Sequence, residues 1–501
     1  MRYIFLLSIF ISCAHQHVKL QTEIRNNYLK GEFRQSIEVL DKSDYKKNDS
    51  NKLLYLMEKG RLQLMSQEYL KAFETFTSAI ELKDKLYTKS VSNEIKVATQ
   101  SESKGIYYGT IVEKNYLYFA SIISLYHLSL KDNSYKSKIR NILISWDSYL
   151  QTIKKENDEV ESLIQWCRLN AAIMHEYLNT RRDSETALIL YKNIKISADK
   201  NKVVNHYVDY KIQELSKRLK RPVSKKIKFS KESNSILAQM SEKKITFLIE
   251  KGLVSEYGTK EYSLNLASQI DEIDSPALKE TINQIGVPIL AYFMLGPLGL
   301  GTTTYVKNNI AVTTRHNLGE KLIKEVGLEY EVPYTSYQDK NYNYYLVLKN
   351  GKKQILKKKL FVLSDFSLLA LSARKIREQS IATKRKSRIA LKYLTAAVAS
   401  YSTFKSISNN DPNNLLARSA AYAQFLLAQK TILETEKPDT RYWSTMPAKQ
   451  LICDVSVPEG KYQVFMEVFD QNSSLVDEVY ISKIEINSST ETFFSHALNT
   501  L

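Results

Sequence analysis

Between Leu56 and Asp84 small and aromatic residues recur at helical offsets, and that spacing restricts the possible architectures more than any other stretch of the chain. Gly60 and Ala72 are small, as two antiparallel helices require where they cross closely. Tyr69, Phe76 and Ala79 stand where side chains would fill the groove against a following pair. A single helical pair cannot bury its own apolar face, so this unit calls for others stacked on it. Only 14 glycines and 9 prolines occur in 501 residues, so breaks are few and helices should be long.

The offsets of Gly60, Tyr69, Ala72, Phe76 and Ala79 are those of a tetratricopeptide repeat. A weaker copy precedes them at Gly31, Phe33, Ile37 and Leu40, and a third candidate is Ala187 and Tyr191 after a helix from Ile164 to Leu178. Copies this degenerate also arise in any antiparallel helical bundle. Between them, Ile122, Leu125, Tyr126 and Leu128, then Ile139, Ile142, Leu143 and Trp146, mark two core-facing helices with a turn at Asp132-Asn133-Ser134. Tyr107, Tyr108, Tyr116 and Tyr118 beside them suit core packing better than a ligand surface. A tetratricopeptide-like array is therefore expected over residues 27–216.

Lys217 to Lys231 then carries Lys or Arg at eight of fifteen positions around Pro222, which predicts a basic linker over 217–243. Beyond it the period shortens towards two. Lys244 to Glu250 predicts a strand, and Asn350-Gly351 predicts a type I′ turn between strands Tyr344–Lys349 and Gln354–Val362. Ile310 to Thr314 and Leu328 to Pro333 are lesser strands. Within this β-rich region, 244–363, the fifteen residues Val287 to Gly301 carry no charge and five glycines or prolines. They are too short and broken to span a bilayer, and no Gly-Lys-Ser/Thr follows to make a phosphate loop. Long helices are expected over 364–436, one from about Asp365 past Tyr401 and one from Asn413 to Glu434. A small sandwich-like β domain is expected over 437–501, its first two strands joined by Pro458-Glu459-Gly460. The expected class is mainly α with β: a helical array, a central mixed α+β region and a small C-terminal β-sandwich-like domain.

The N-terminus bears on location. Met1-Arg2 is cationic, Tyr3 to Ile11 is apolar but for one serine, and Ser12-Cys13 closes the run. This resembles the signal of bacterial lipoproteins, cut before a diacylated cysteine, with Phe10 where an aliphatic residue is usual. Ala14, rather than an aspartate, follows the cysteine. The resemblance implies lipidation at Cys13, an outer-membrane anchor facing the periplasm, and a tether over 14–26. A net charge of +18 suits an anionic partner such as lipid head groups, or lysine-rich helices that simply face water. Cys167 and Cys453 are too few for a disulfide-framed fold and read as buried thiols.

Asp439-Thr440-Arg441-Tyr442-Trp443-Ser444-Thr445-Met446-Pro447, followed by Val457-Pro458-Glu459-Gly460-Lys461-Tyr462, resembles a family of uncharacterised bacterial tetratricopeptide-like outer-membrane lipoproteins. That family carries an Asp-Thr-Arg-x-Trp-x-x-Leu-Pro loop and a Pro-Pro-Gly-x-Tyr turn. Met446 here replaces the leucine and Glu459 the second proline. The resemblance implies a complex with neighbouring envelope lipoproteins, and it brings no enzymatic activity. The residues alone predict that Asp439 pairs with Arg441 and that Trp443 plugs the seam between the last helix and the β domain, which makes this interdomain loop, ending at Pro447, a structural clasp rather than a ligand site.

Candidate catalytic groups are scarce. Histidines number seven; His175-Glu176 opens like a zinc-protease helix, but Asn179 stands where the second ligand is needed. No Gly-x-Ser-x-Gly elbow occurs, and no pair of carboxylates stands out for glycoside chemistry. Neither a catalytic set, a metal site, a cofactor nor nucleic-acid binding is expected. The expected role is a membrane-anchored scaffold for other envelope proteins, with a ligand-binding or sensing module, then an envelope hydrolase, as alternatives.

Overall fold

The computed structural model describes residues 13–97, 105–153, 158–197, 202–223, 244–265, 327–335, 337, 342–408, 411, 414–487 and 493–498. The predicted apolar segment 287–301, the strand at Ile310, the signal residues before Cys13 and most of the basic linker lie outside them.

Ten helices open the described chain: α1 (Cys13–Leu29), α2 (Phe33–Lys42), α3 (Asp44–Lys47), α4 (Lys52–Met65), α5 (Tyr69–Val97), α6 (Ile111–Ser129), α7 (Tyr135–Gln151), α8 (Asp158–Leu178), α9 (Arg181–Ser197) and α10 (Lys202–Leu219). Successive long helices pack side by side, which is the predicted helical array. Local chemistry sets the joints. Gly31 turns from α1 to α2 at φ +78°, a left-handed value that glycine adopts without penalty. Thr110 and Glu113 form a reciprocal capping box at the start of α6. Asp132 accepts the Ser134 N–H at 2.9 Å, as the predicted turn requires.

Two sequence boundaries need correction. The predicted tether at 14–26 lies within α1, because Ile24 and Tyr28 are fully buried in the array's core. The predicted linker begins as the last turn of α10, where Lys217 and Arg218 lie at the carbonyl end of the helix.

The strands form β1 (Lys244–Lys251), β2 (Tyr257–Asn265), β3 (Gly327–Thr335), β4 (Asn343–Asn350), β5 (Lys353–Asp365), β6 (Lys449–Ser456), β7 (Gly460–Phe469), β8 (Leu475–Ile486) and β9 (Phe493–Leu498). Strands β2 and β3 pair with each other, and the other seven form one sheet in the order β8-β7-β4-β5-β6-β1-β9. Six of these run antiparallel to their neighbours, and β9 lies parallel to β1. The predicted C-terminal β domain is therefore not a separate unit. Its first two strands do not pair with each other, since β6 bonds to β1 and β5 while β7 bonds to β4 and β8.

Strand β5 turns the corner between the two halves. Residues 353–360 pair with β4 and residues 361–365 with β6, with an irregularity at Val362/Ser364. Alternation then sends Ile245, Phe247 and Ile249, with Leu346, Leu348, Cys453 and Met466, into one core inside the curl. The β4–β5 hairpin closes through Gly351 and Lys352, and only Gly351 has positive φ, at +59°. That suits a type II′ turn rather than the predicted I′. Between β5 and β6 the chain runs out through α11 (Phe366–Ser408) and back through α12 (Leu415–Thr435), the predicted long helices.

Candidate functional site

The residues singled out in the first repeat meet as predicted. Ala72, Phe76 and Ala79 are fully buried, and Tyr69 stacks on His127 at 4.4 Å. A Cβ on Gly60 would lie 2.4 Å from the Phe76 ring, so only glycine admits this crossing of α4 and α5.

The segment 439–447 runs into the centre of the molecule. Asp439 takes the Arg441 side chain at 2.8 and 2.9 Å, the predicted pair. Arg441 also donates to Asn51 Oδ1 at 2.7 Å and to the Gly105 carbonyl at 2.9 Å, which ties the loop to the array. Trp443 is fully buried and Pro447 is buried. The tryptophan's place differs from the predicted seam with the last helix: its ring packs on Phe76 of α5 and Tyr116 of α6, inside the array. The indole N–H is satisfied by Thr445 at 3.1 Å.

The groups that receive this loop were not legible as a site. Glu58 of α4 is fully buried and accepts four hydrogen bonds, from the backbone and hydroxyl of Ser444 (2.5 and 2.7 Å) and of Thr445 (3.3 and 2.5 Å). Burial raises its pKa above the usual carboxylate value, and those four donors oppose the rise. Glu113, besides capping α6, accepts Tyr107 Oη and the Trp443 N–H, both at 2.7 Å. Arg25 of α1 donates to the carbonyls of Ser444 and Val254 at 3.0 and 2.8 Å.

A second buried polar seam joins the array to the outer face of β1 and β6. Glu250 receives Arg61 at 2.7 Å and Tyr116 at 2.8 Å, and Arg61 also donates to Tyr28 at 3.1 Å. Burial works to lower the Arg61 pKa, but the Glu250 charge beside it carries it well above the ordinary value. Gln450 accepts Trp166 Nε1 at 2.7 Å. Lys211 of α10 lies 3.1 Å from Glu176 and 3.5 Å from Asp454. These carboxylates face guanidinium, ammonium, hydroxyl and amide donors of the same chain. Such an arrangement holds elements in register; it presents no reactive atom to a substrate. One signal for it was available: Glu58, Arg61 and Glu250 interrupt otherwise apolar runs, Leu-Leu-Tyr-Leu-Met-Glu-Lys-Gly-Arg-Leu and Ile-Thr-Phe-Leu-Ile-Glu.

His175 Nδ1 lies 3.2 Å from Asp183 rather than in a ligand set. Among the described residues no group of three or more His, Cys, Asp or Glu side chains could hold a metal, and no helix is long and apolar enough to cross a membrane. Cys167 and Cys453 are both free and buried, and burial raises both thiols, so neither is an activated nucleophile. No family model, curated protein or solved structure matches the chain.

Proposed function

We propose that the protein is a non-catalytic lipoprotein, anchored through Cys13 in the outer membrane and facing the periplasm, that serves as a scaffold for other envelope lipoproteins. Its helical pairs act as tetratricopeptide-like repeats, and its two half-sheets, joined by β5, as a sandwich-like frame beside them. One observation carries this reading. The loop 439–447, the most distinctive motif of the chain, directs its polar atoms into Glu58, Glu113 and Asn51 of its own array. It works as a clasp that fastens the sheet to the helices, and a rigid frame is what a scaffold supplies.

Two experiments test the proposal. Cys13→Ala should abolish incorporation of radiolabelled palmitate, and persistent labelling would refute the anchor. Crosslinking of intact cells followed by capture of the tagged protein should return a small, reproducible set of envelope lipoproteins. Recovery of the protein alone would refute the scaffold.

A ligand-binding or sensing role is the second reading, and one feature favours it. A cleft of about 380 Å³ lies between α8, the end of β5 and the start of α11, walled by Trp166, Leu363 and Leu368. The buried Ser364 hydroxyl on its wall has no hydrogen-bond partner among the described residues. A metabolite screen followed by Trp fluorescence would decide it, with Ser364→Leu expected to abolish any response.

A further inference from the structure

The outer face of the half-sheet made by β4, β7, β8 and the first part of β5 has a composition unlike the rest of the molecule. Between 349 and 359 six of eleven residues are lysine. Lys349 pairs with Glu478, and Lys357 with Glu467. Lys359 is exposed on this face and Lys352 in the adjoining turn, and among the described residues neither is paired with a carboxylate, whereas Lys353 and Lys358 stand opposite Asn350 and Leu346 on the other side of the sheet. Apolar groups are interleaved with them: Ile355 is 38% exposed, Tyr480 49%, Val476 52% and Leu475 55%. Phe465, Phe469 and Tyr345 lie on the same face, half-buried, with Lys349 4.3 Å over Phe465 and Lys357 4.3 Å over Phe469.

We propose that this face docks flat on an anionic bilayer surface, its unpaired lysines meeting lipid phosphates while Ile355, Val476 and Tyr480 dip among the head groups. Two features favour a lipid surface over a nucleic-acid strand. Lys349 and Lys357 lie over the Phe465, Tyr345 and Phe469 rings, which leaves Tyr480 alone among the described rings of this face for a base to stack on. Exposed aliphatic side chains gain from an acyl boundary and gain nothing from a sugar-phosphate backbone. The open edge of β5 at residues 353–360 also explains part of the lysine content, since charge on an edge strand blocks pairing with other strands. Edge protection does not account for Tyr480, Val476 and Leu475 on the far strand.

The inference rests on the anchored reading above for its location. There, Cys13 is the first residue of α1, and the buried Gln21, bound to the Tyr442 carbonyl at 3.0 Å, follows eight residues later. At 1.5 Å per residue that is about 12 Å of helix, so an acylated Cys13 would hold the body close to the bilayer.

The test uses the full chain carrying Cys13→Ala, so that binding does not depend on acylation, which the palmitate experiment settles separately. Its cosedimentation is measured with vesicles of phosphatidylcholine alone and of phosphatidylcholine mixed with phosphatidylglycerol. The chain should bind only the anionic vesicles and release as salt rises from about 0.1 M to about 0.5 M. Combined Lys352→Glu and Lys359→Glu changes should weaken binding roughly thirtyfold with an unchanged melting temperature. Should that variant unfold, Ile355→Glu with Val476→Glu serves instead and should also abolish binding. Equal binding to both vesicle types, binding unaffected by the variants, or tighter binding to single-stranded DNA than to the anionic vesicles would each overturn the proposal.

Discussion

The outer face of β1 and β6 and the outer face of β4, β7 and β8 belong to one sheet, yet they meet opposite surroundings. On the first, Glu250, Gln450 and Thr246 are covered by helices. Each then needs a specific partner, found in Arg61, Trp166 and Asp454. On the second, lysines and aromatics face outwards, and water satisfies what the protein does not. A charge on a strand therefore has two physical meanings, set by what lies over it. In the covered half it specifies register at the risk of a large loss if broken; in the open half it costs almost nothing to change and is available for contact.

The largest effect should come from the clasp. Trp443→Ala should cost about 3–5 kcal/mol in chemical denaturation, because Phe76 and Tyr116 lose their packing partner. The loss should reach the array as well as the sheet, so protease should cut near both 437–447 and α5. Cleavage confined to the loop would place Trp443 at an outer seam after all.

Glu250→Ala follows at about 3–5 kcal/mol, since it strands the buried Arg61 without its carboxylate. Combining Arg61→Met with Glu250→Leu should restore most of that loss. A single mutant that melts like the parent would mean that the covered face is wet.

Within the array, Gly60→Ala should cost about 1–3 kcal/mol, because the new methyl meets Phe76 at 2.4 Å. An unchanged denaturation midpoint would show that α4 and α5 part easily there.

The array also predicts a pH dependence. Burial works to raise the Asp183 pKa, but hydrogen bonds from Arg140, Thr180 and His175 override it and bring it down to about 2. The folded value lies below the unfolded one of about 3.9, so this group's stabilisation is fully present above about pH 4 and is lost as pH falls towards 2. The stability gap between the parent and Asp183→Asn should therefore narrow across that window. A gap that stays constant would separate Asp183 from acid sensitivity.

The smallest effect belongs to the open face. Lys461→Ala should change stability by less than about 1 kcal/mol despite its pairing with Glu485, as exposed ion pairs do. A larger loss would show that this face is not open.

Where local physics decides, the sequence was sufficient. Helical periodicity placed the array and the long helices α11 and α12, and the small residues of the first repeat marked a real close crossing. The Asp439–Arg441 pair was legible because both residues lie on one short loop. The tether was misread because thirteen polar and apolar residues ahead of the first repeat carry no sign that Ile24 and Tyr28 will find a core. The separate C-terminal domain was misread for a related reason: β6 and β7 follow each other in the chain, but their partners β1, β4 and β5 lie 80 or more residues earlier.

What the sequence determined by itself is therefore the set of elements and the faces on which they are apolar, because propensity, capping and alternation act over a few residues. Only the tertiary structure decided which charged residues are buried. Glu58, Glu250 and Lys211 read as ordinary surface charges until a loop near residue 444, an arginine 189 positions away and a strand near residue 454 are brought against them. Burial depends on contacts between distant segments; the apolar runs around Glu58, Arg61 and Glu250 hint at burial, but no local pattern encodes the partner.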